Sequence, residues 1–256
     1  MNGSPSNTEK DFPCGKPLSL SRRCVVTLVA AGLGLWIAGL LLWGQREADK
    51  WLVMSQNGLR VNDIIIHAGQ MATRYGMAVM TGVYLIYLLL AFKFENLRDA
   101  HSIYLTVFFL FGIAGICGDL LNVVLNRPRP FIQYAGEFHA FSKSATASFP
   151  SGHATKSTAL ALPFLFLITA KDTRHRAVKI LLAVVALCVC YSRVLLGAHF
   201  VSDVLAGIGT ALIFLPPATF LTGKLWKKMT PERLRIAVRV WALLLAGLLM
   251  FLLAAT

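Results

Sequence analysis

Long apolar runs, separated by short polar segments, follow one another along most of this chain. An α-helix needs about 20 such residues to cross the hydrocarbon core of a membrane. The runs therefore predict an all-α, polytopic transmembrane helix bundle with seven candidate spans. These are Val25 to Gly44, Tyr75 to Phe92, Ile103 to Leu125, Ala159 to Ala170, Val178 to Leu196, Val201 to Leu221 and Ile236 to Ala255.

Two parts of this pattern need a closer reading. The run Ala159 to Ala170 is short, and it becomes long enough to cross only when counted from Ala154, with Lys156 facing protein or water. The segment Gln45 to Thr73 is polar with apolar islands such as DIIIHAG, which predicts one or two short interfacial helices. The seventh run follows Thr230 and Pro231, residues that suit the N-cap and the first position of a helix.

Composition agrees with a membrane protein, because 56% of the 256 residues are hydrophobic and only 14% are charged. A soluble domain of this length keeps about a quarter of its residues charged. The polar start of the chain has no periodic pattern and predicts disorder. We expect a disordered cytoplasmic tail at 1–24, a transmembrane core with a six-helix plan at 25–223, and a basic linker with an additional C-terminal transmembrane helix at 224–256.

The net charge of +13 comes from basic residues that cluster between the apolar runs. That is the pattern of loop charges that set membrane orientation, and it argues against nucleic-acid binding. If all seven runs cross, 16 of the 25 Lys and Arg residues lie on the side of the N-terminal tail. The positive-inside rule then predicts a multi-pass inner-membrane protein with a cytoplasmic N-terminus.

Three polar islands fall on the opposite side, which would face the periplasm or the exterior. Together they contain three arginines, two histidines, a carboxylate and the start of a helix. The islands are NRPRPF with Arg127 and Arg129, PSGH with Ser151, Gly152 and His153, and SRVLLGAHFVSD with Arg193, His199 and Asp203.

These residue types are the parts needed to bind and attack a phosphate. Arginine forks match phosphate oxygens, and a helix that begins at Ser151 and Gly152 offers free N–H groups to an anion. His199 and Asp203 are four residues apart, so on one helix face the carboxylate can hold one ring nitrogen and raise the nucleophilicity of the other. His153 is then free to protonate a leaving oxygen.

With these motifs the chain resembles the type 2 phosphatidic acid phosphatase superfamily of membrane lipid phosphatases. The family pattern is Lys-x6-Arg-Pro, Pro-Ser-Gly-His and Ser-Arg-x5-His-x3-Asp. The second part is complete from Pro150 to His153, and the third is complete from Ser192 to Asp203. The first is partial, since Arg129 and Pro130 fit but Asn122 occupies the lysine position.

The resemblance implies a metal-independent hydrolysis of a phosphate ester or pyrophosphate on a membrane lipid, with no cofactor. In that scheme His199 attacks phosphorus, Asp203 orients His199, and His153 protonates the leaving group. The phosphate-binding residues would be Arg127 or Arg129, Arg193, Ser151 and Gly152. A lipid phosphotransferase that uses the same site, a non-catalytic membrane protein and a vanadate-dependent haloperoxidase are the alternatives.

The departure at Asn122 removes one cation from the expected phosphate site. Lys156 lies one helical turn beyond His153 and is a candidate substitute; a lysine that snorkels to the interface is the other interpretation. Asp119 is a carboxylate inside an apolar run, and Lys156 is a possible partner. The lipid stays open among undecaprenyl pyrophosphate, phosphatidylglycerol phosphate, phosphatidic acid and the phosphates of lipid A.

Overall fold

The fold is described by a computed structural model of the chain. It describes residues 19–58, 62–93, 101–137, 141, 146–168 and 173–254. Residues 1–18 of the predicted disordered tail lie outside these ranges, whereas its last three residues, 22–24, are helical and correct that prediction.

The described residues form nine α-helices and no strand, which confirms the predicted all-α class. The helices are α1 (Arg22–Gly44), α2 (Arg46–Gly58), α3 (Asp63–Lys93), α4 (His101–Leu125), α5 (Pro130–Gln133), α6 (Gly152–Leu167), α7 (Thr173–Leu195), α8 (Val201–Lys228) and α9 (Pro231–Ala254).

Five segments within the described ranges are long and apolar enough to cross a membrane. They correspond to α1, to most of α3, to α4 together with α5, to α7 and to α8. This chain is therefore a multi-pass membrane helix bundle. Crossing by α6 and α9 stays a prediction, although α9 begins as expected, with the hydroxyl of Thr230 accepting a hydrogen bond from the N–H of Arg233.

Helix α3 differs from its sequence prediction. The structure has one short helix, α2, and then a single 31-residue helix that begins at Asp63, twelve residues before the predicted start at Tyr75. The polar residues in this first part misled the hydropathy pattern because some of them face protein: the hydroxyls of Thr73 and Ser192 lie 2.7 Å apart.

Helix α6 lies at the centre of the bundle and contacts α3, α4, α7 and α8. It has only 16 residues, which corresponds to about 24 Å of helix. Most of its side chains are buried, which explains why its apolar run carries no lipid-facing stripe. Its N-terminal end therefore has a fixed position relative to the helices that carry the other two motifs.

Close helix contacts bring α8 against α6 and α1. A Cβ atom on Gly207 would lie 2.7 Å from the carbonyl oxygen of Ser151, and one on Gly209 would lie 2.6 Å from that of Gly32. Distances this short exclude any larger residue at either position. The small residues of α8 thus let its first turns approach the start of α6.

Candidate active site

The three predicted motif segments meet at one end of the bundle, which we call the site end. Here α1, α4 and α7 finish while α6 and α8 begin. A cavity of about 630 Å³ opens between them. Its polar lining residues are Asp119, Asn122, Arg129, Thr146, His153, Lys156, Arg193 and His199, with Gly152 at the start of α6.

His199 lies in the turn between α7 and α8, and its ring is held at both nitrogens. Nε2 is 3.0 Å from Nη1 of Arg129, and Nδ1 is 2.8 Å from the main-chain oxygen of Ser148. Because an arginine can only donate, Nε2 accepts and Nδ1 carries the proton. Burial lowers the pKa of His199 to about 4, so the ring is neutral at physiological pH, and its Nε2 lone pair accepts the hydrogen bond from Arg129, which also lines the cavity.

Asp203 is fully buried in the first turn of α8 and accepts three hydrogen bonds. The donors are Nη1 of Arg127 at 2.7 Å, the main-chain N–H of Phe200 at 2.8 Å and the hydroxyl of Ser148 at 2.5 Å. Its own distance to Nδ1 of His199 is 3.5 Å. Asp203 therefore acts on His199 mainly through its charge and through Ser148.

This geometry differs from the predicted arrangement of His199 and Asp203 on one helix face. Helix α8 begins only at Val201, and Phe200 is its N-cap, so His199 precedes the helix. Sequence reasoning missed Ser148, whose main-chain oxygen and hydroxyl join the two residues. A single serine in a loop has no periodicity that would identify such a role.

Arg127 and Arg129 are two residues apart but point to different places. The terminal nitrogens of Arg127 bind Asp203 and Asp49, and Arg127 does not line the cavity. Its guanidinium carbon lies 3.9 Å from the ring centroid of Phe200. Arg129 lines the cavity beside His199 and also donates to the main-chain oxygens of Thr146 and Ala198.

Asp49, on α2, is a second residue that sequence reasoning missed. Its carboxylate is fully buried and accepts hydrogen bonds from Arg127 and Ser202. Burial raises the pKa of this carboxyl, and those hydrogen bonds oppose the rise. In the sequence it is one charge among several in READK, which indicates only a solvated helix face.

The start of α6 presents its first turn to the cavity. The hydroxyl of Ser151 is buried and caps the helix by accepting from the N–H of Ala154 at 3.4 Å. The N–H groups of Gly152 and His153 belong to the first turn, where a helix has no partners of its own for them. Gly152, His153 and Arg193 line the cavity together. This wall can accept an anion.

Asn122 and Lys156 occupy different positions in the cavity wall. The amide nitrogen of Asn122 donates to the main-chain oxygens of Ala147 and Phe149, at 2.9 and 3.4 Å. Asn122 thus holds the segment that leads into PSGH. Lys156 and Asp119 both line the cavity, and no ion pair joins them in the described part of the chain.

About half of this chain matches a known protein family, and parts of it resemble individual members. The model of the PAP2 superfamily matches residues 103–227. The chain is 31% identical to the lipid A 1-phosphatase of Rhizobium johnstonii over 68% of its own length and 76% of that protein's. It is 33% identical to an undecaprenyl-diphosphatase of Bacillus subtilis over 40% of its own length, and spans about half (51%) of that relative.

A solved structure shares the fold. It is a transmembrane PAP2 type phosphatidylglycerolphosphate phosphatase from Bacillus subtilis, with a TM-score of 0.53 and 21% sequence identity. The similarity covers 78% of this chain and 98% of that one.

Proposed function

This chain belongs to the PAP2 superfamily, and from that membership we propose that it is an integral-membrane phosphatase of lipid phosphates or diphosphates. The reaction uses no metal and passes through a phosphohistidine on His199. The substrates named for the relatives are undecaprenyl diphosphate and lipid A, and both are phosphorylated membrane lipids. The same class of substrate suits a cavity within a membrane helix bundle whose lining includes Arg129, Lys156 and Arg193.

The observation that carries the proposal is the position of His199. Its unprotonated Nε2 borders a cavity whose wall also contains Arg129, Arg193 and the first turn of α6. A phosphate held by those groups places phosphorus next to a nucleophile that needs no deprotonation. Electrostatic stabilisation of the charge that builds on phosphate oxygens is the largest single contribution in such sites.

The reaction then has two displacements. Arg129 shifts its hydrogen bond from Nε2 to a phosphate oxygen, the freed lone pair of Nε2 attacks phosphorus, and the bond from phosphorus to the lipid oxygen breaks. The negative charge of the bound phosphate favours the protonated form of His153, which gives its proton to that leaving oxygen. A water molecule next attacks phosphorus, His153 takes a proton from it, and the bond from phosphorus to Nε2 breaks. Inorganic phosphate leaves and both histidines return to their starting states.

The proposed roles follow the positions of the side chains. Arg129, Arg193 and the N–H groups of Gly152 and His153 hold the phosphate oxygens. Lys156 supplies a further positive charge. Ser151 acts as the cap that orients the first turn of α6.

Arg127 has an indirect role in this proposal, because Asp49 and Asp203 take its terminal nitrogens. It holds Asp203 in place and does not reach the substrate.

We also propose that the site end faces the periplasm or the exterior of an inner membrane, with the N-terminus in the cytoplasm. Basic residues concentrate in the segments at the other end of the bundle, such as those around α7's start and α8's end. A lipid phosphate in the outer leaflet then reaches the cavity from the bilayer surface.

The test is phosphate release by the purified protein in detergent, with no acceptor present. The panel is undecaprenyl diphosphate, phosphatidylglycerol phosphate, phosphatidic acid and lipid A. We expect release from at least one lipid, and a ³²P label on the protein that survives alkali and is lost in acid, as a phosphohistidine is. His67→Ala, which changes an exposed histidine of α3, is the control and should keep both signals.

Two results would overturn the proposal. Release that occurs only when an acceptor lipid or sugar is added indicates a phosphotransferase. If the protein releases phosphate from none of the lipids and no histidine carries the ³²P label, the proposed enzymatic function is refuted.

A further inference from the structure

Helix α2 carries a fully buried carboxylate although Asp49 and Val53 are the only buried residues among those the structure describes on this helix. Trp51 and Glu47 are exposed on it, whereas the exposed fraction of Asp49 is 0%. Burying a carboxylate is costly unless charged or hydrogen-bonding groups satisfy it. The contacts of Asp49 therefore show what the helix is docked against.

Both oxygens of Asp49 face donors. Oδ2 accepts from Nη2 of Arg127 at 2.9 Å and from the hydroxyl of Ser202, while Oδ1 faces the main-chain N–H of Ser202 at 3.3 Å. Nη1 of Arg127 also donates to the Ser202 hydroxyl, so that hydroxyl gives its own proton to Asp49. These donors and the positive charge of Arg127 favour the ionised carboxylate and so oppose the rise in the pKa of Asp49 that burial causes.

The same groups lead directly to the nucleophile. Ser202 precedes Asp203 in the first turn of α8, and Nη1 of Arg127 is 2.7 Å from Oδ1 of Asp203. Asp203 in turn accepts from Ser148, whose main-chain oxygen accepts from His199. Asp49 thus stands at the far end of one continuous buried network that ends at the reacting ring.

Charge gives this network a second property. Arg127 alone would cancel the charge of Asp203, and a neutral pair favours an imidazolium much less than a free carboxylate does. A second carboxylate on the other side of the guanidinium restores a net charge of one negative unit. When Nε2 of His199 bonds to phosphorus, the imidazole ring becomes positively charged. The net negative charge of Asp49, Arg127 and Asp203 then balances the charge of the ring.

We propose that Asp49 is a positioning residue of the reaction, acting through Arg127 on Asp203 and His199. It holds the guanidinium so that Asp203 stays against Ser148, and it supplies the negative charge that stabilises the phosphorylated imidazolium. Docking of α2 then completes the site. This inference rests on the proposed phosphohistidine mechanism.

Asp49→Asn tests it, because the amide keeps the size of the side chain and removes its charge. We expect kcat to fall about 10- to 100-fold, the effect of losing one charged hydrogen bond, while KM changes less than about threefold. Glu47→Gln is the matched control, since it removes an exposed carboxylate from the same helix. Its kcat and KM should equal those of the wild type.

Inhibition constants distinguish a positioning role of Asp49 from a mere loss of folded protein in the variant. Vanadate adopts the five-coordinate geometry of phosphoryl transfer and bonds to the histidine, whereas inorganic phosphate resembles the product. In Asp49→Asn the Ki of vanadate should rise about 10- to 100-fold while the Ki of phosphate stays within about threefold. Neither Ki depends on how much of the sample is folded.

Ser202→Ala provides a second variant, because it removes the hydroxyl that Asp49 binds and keeps every charge. We expect the Ki of vanadate to rise about threefold to tenfold in this variant, while the Ki of phosphate again stays nearly unchanged. Should both variants keep the wild-type ratio of the two Ki values, Asp49 has no role beyond packing and the inference is overturned. An inactive wild type would instead refute the proposed function, so the two failures are distinct.

Discussion

Helix α6 joins two regions whose interiors are built differently. Around its first turn lies the site end, where buried charges such as Asp203 and Arg127 hold one another through short, directional hydrogen bonds. Around its second half lies an apolar core shared with α3, α4 and α7. There the rings of Tyr84 and Phe164 meet edge to face with centroids 5.7 Å apart, and the hydroxyl of Tyr84 donates to the main-chain oxygen of Leu160.

The difference teaches which physical quantity each region controls. At the site end, removing one polar atom removes a proton, a charge or the orientation of a reacting group. Such a substitution should therefore lower the rate of reaction more than it lowers the stability of the fold. In the apolar core, packing is non-directional and its loss lowers the free energy of unfolding. Substitutions in the two regions should therefore separate activity from stability.

His199→Ala should have the largest effect. Removing the nucleophile should lower kcat by at least about 10⁴-fold, as observed when a covalent nucleophile is deleted from other hydrolases. The protein should still purify as a folded species, because the ring lies in a turn. Phosphate release and the melting temperature in detergent measure the two quantities. Near-normal release by this variant would place the nucleophile elsewhere.

Asp203→Asn should lower kcat by about 10²- to 10⁴-fold, by analogy with orienting carboxylates in other catalytic sites. An amide can accept on one oxygen only, and it carries no charge to favour the imidazolium. The fold should persist because Arg127 keeps its pairing with Asp49. Asp63→Asn, at the exposed start of α3, is the control. Equal rates for both variants would remove Asp203 from the mechanism.

Phe164→Ala tests the other region. The variant leaves a cavity beside Tyr84 and Tyr87, and it should lower the free energy of unfolding by roughly 3–5 kcal/mol. KM of the folded protein should stay the same. Phe166→Ala is the matched control, since the side chain of Phe166 is 46% exposed on the same helix. A large change in KM with an unchanged melting temperature would contradict the proposed division between the two regions.

Lys156→Met tests where the site end stops and the apolar core begins. Lys156 lies one turn inside α6 and still lines the cavity. We expect kcat/KM to fall about 10- to 100-fold, the loss of one charged hydrogen bond. Asn122→Lys should partly rescue that variant by restoring a cation, and its ammonium can also donate to the main-chain oxygens that Asn122 binds. Near-normal kinetics for Lys156→Met, or simple additivity in the double variant, indicates a lysine that only snorkels.

The smallest effect is expected from chelation. Treatment with EDTA should change the rate of phosphate release by less than about twofold, because every group in the proposed chemistry belongs to the protein chain itself. A rate that collapses in EDTA and returns with a divalent metal would contradict the metal-free mechanism.

Several features could be predicted from the residues because they depend on local pattern. Apolar runs of membrane length predicted α1, α4, α7 and α8 with ends within a few residues, except that α7 begins earlier and α8 ends later than predicted. The fold class and the family followed as well. The start of α3 could not be predicted, because hydropathy cannot distinguish a polar residue that faces water from one that faces another helix, as Thr73 does.

At the site, the sequence by itself determined which residues share one end of the bundle. Helices that cross a membrane alternate in direction, so counting spans places Arg129, His153 and His199 together. Only the tertiary structure decided how they are used. It directs Arg129 to the cavity and Arg127 to Asp203, and it joins Asp49 to the same network. The physical reason is that the direction of a loop side chain depends on partners far away in the chain, and no local spacing encodes them.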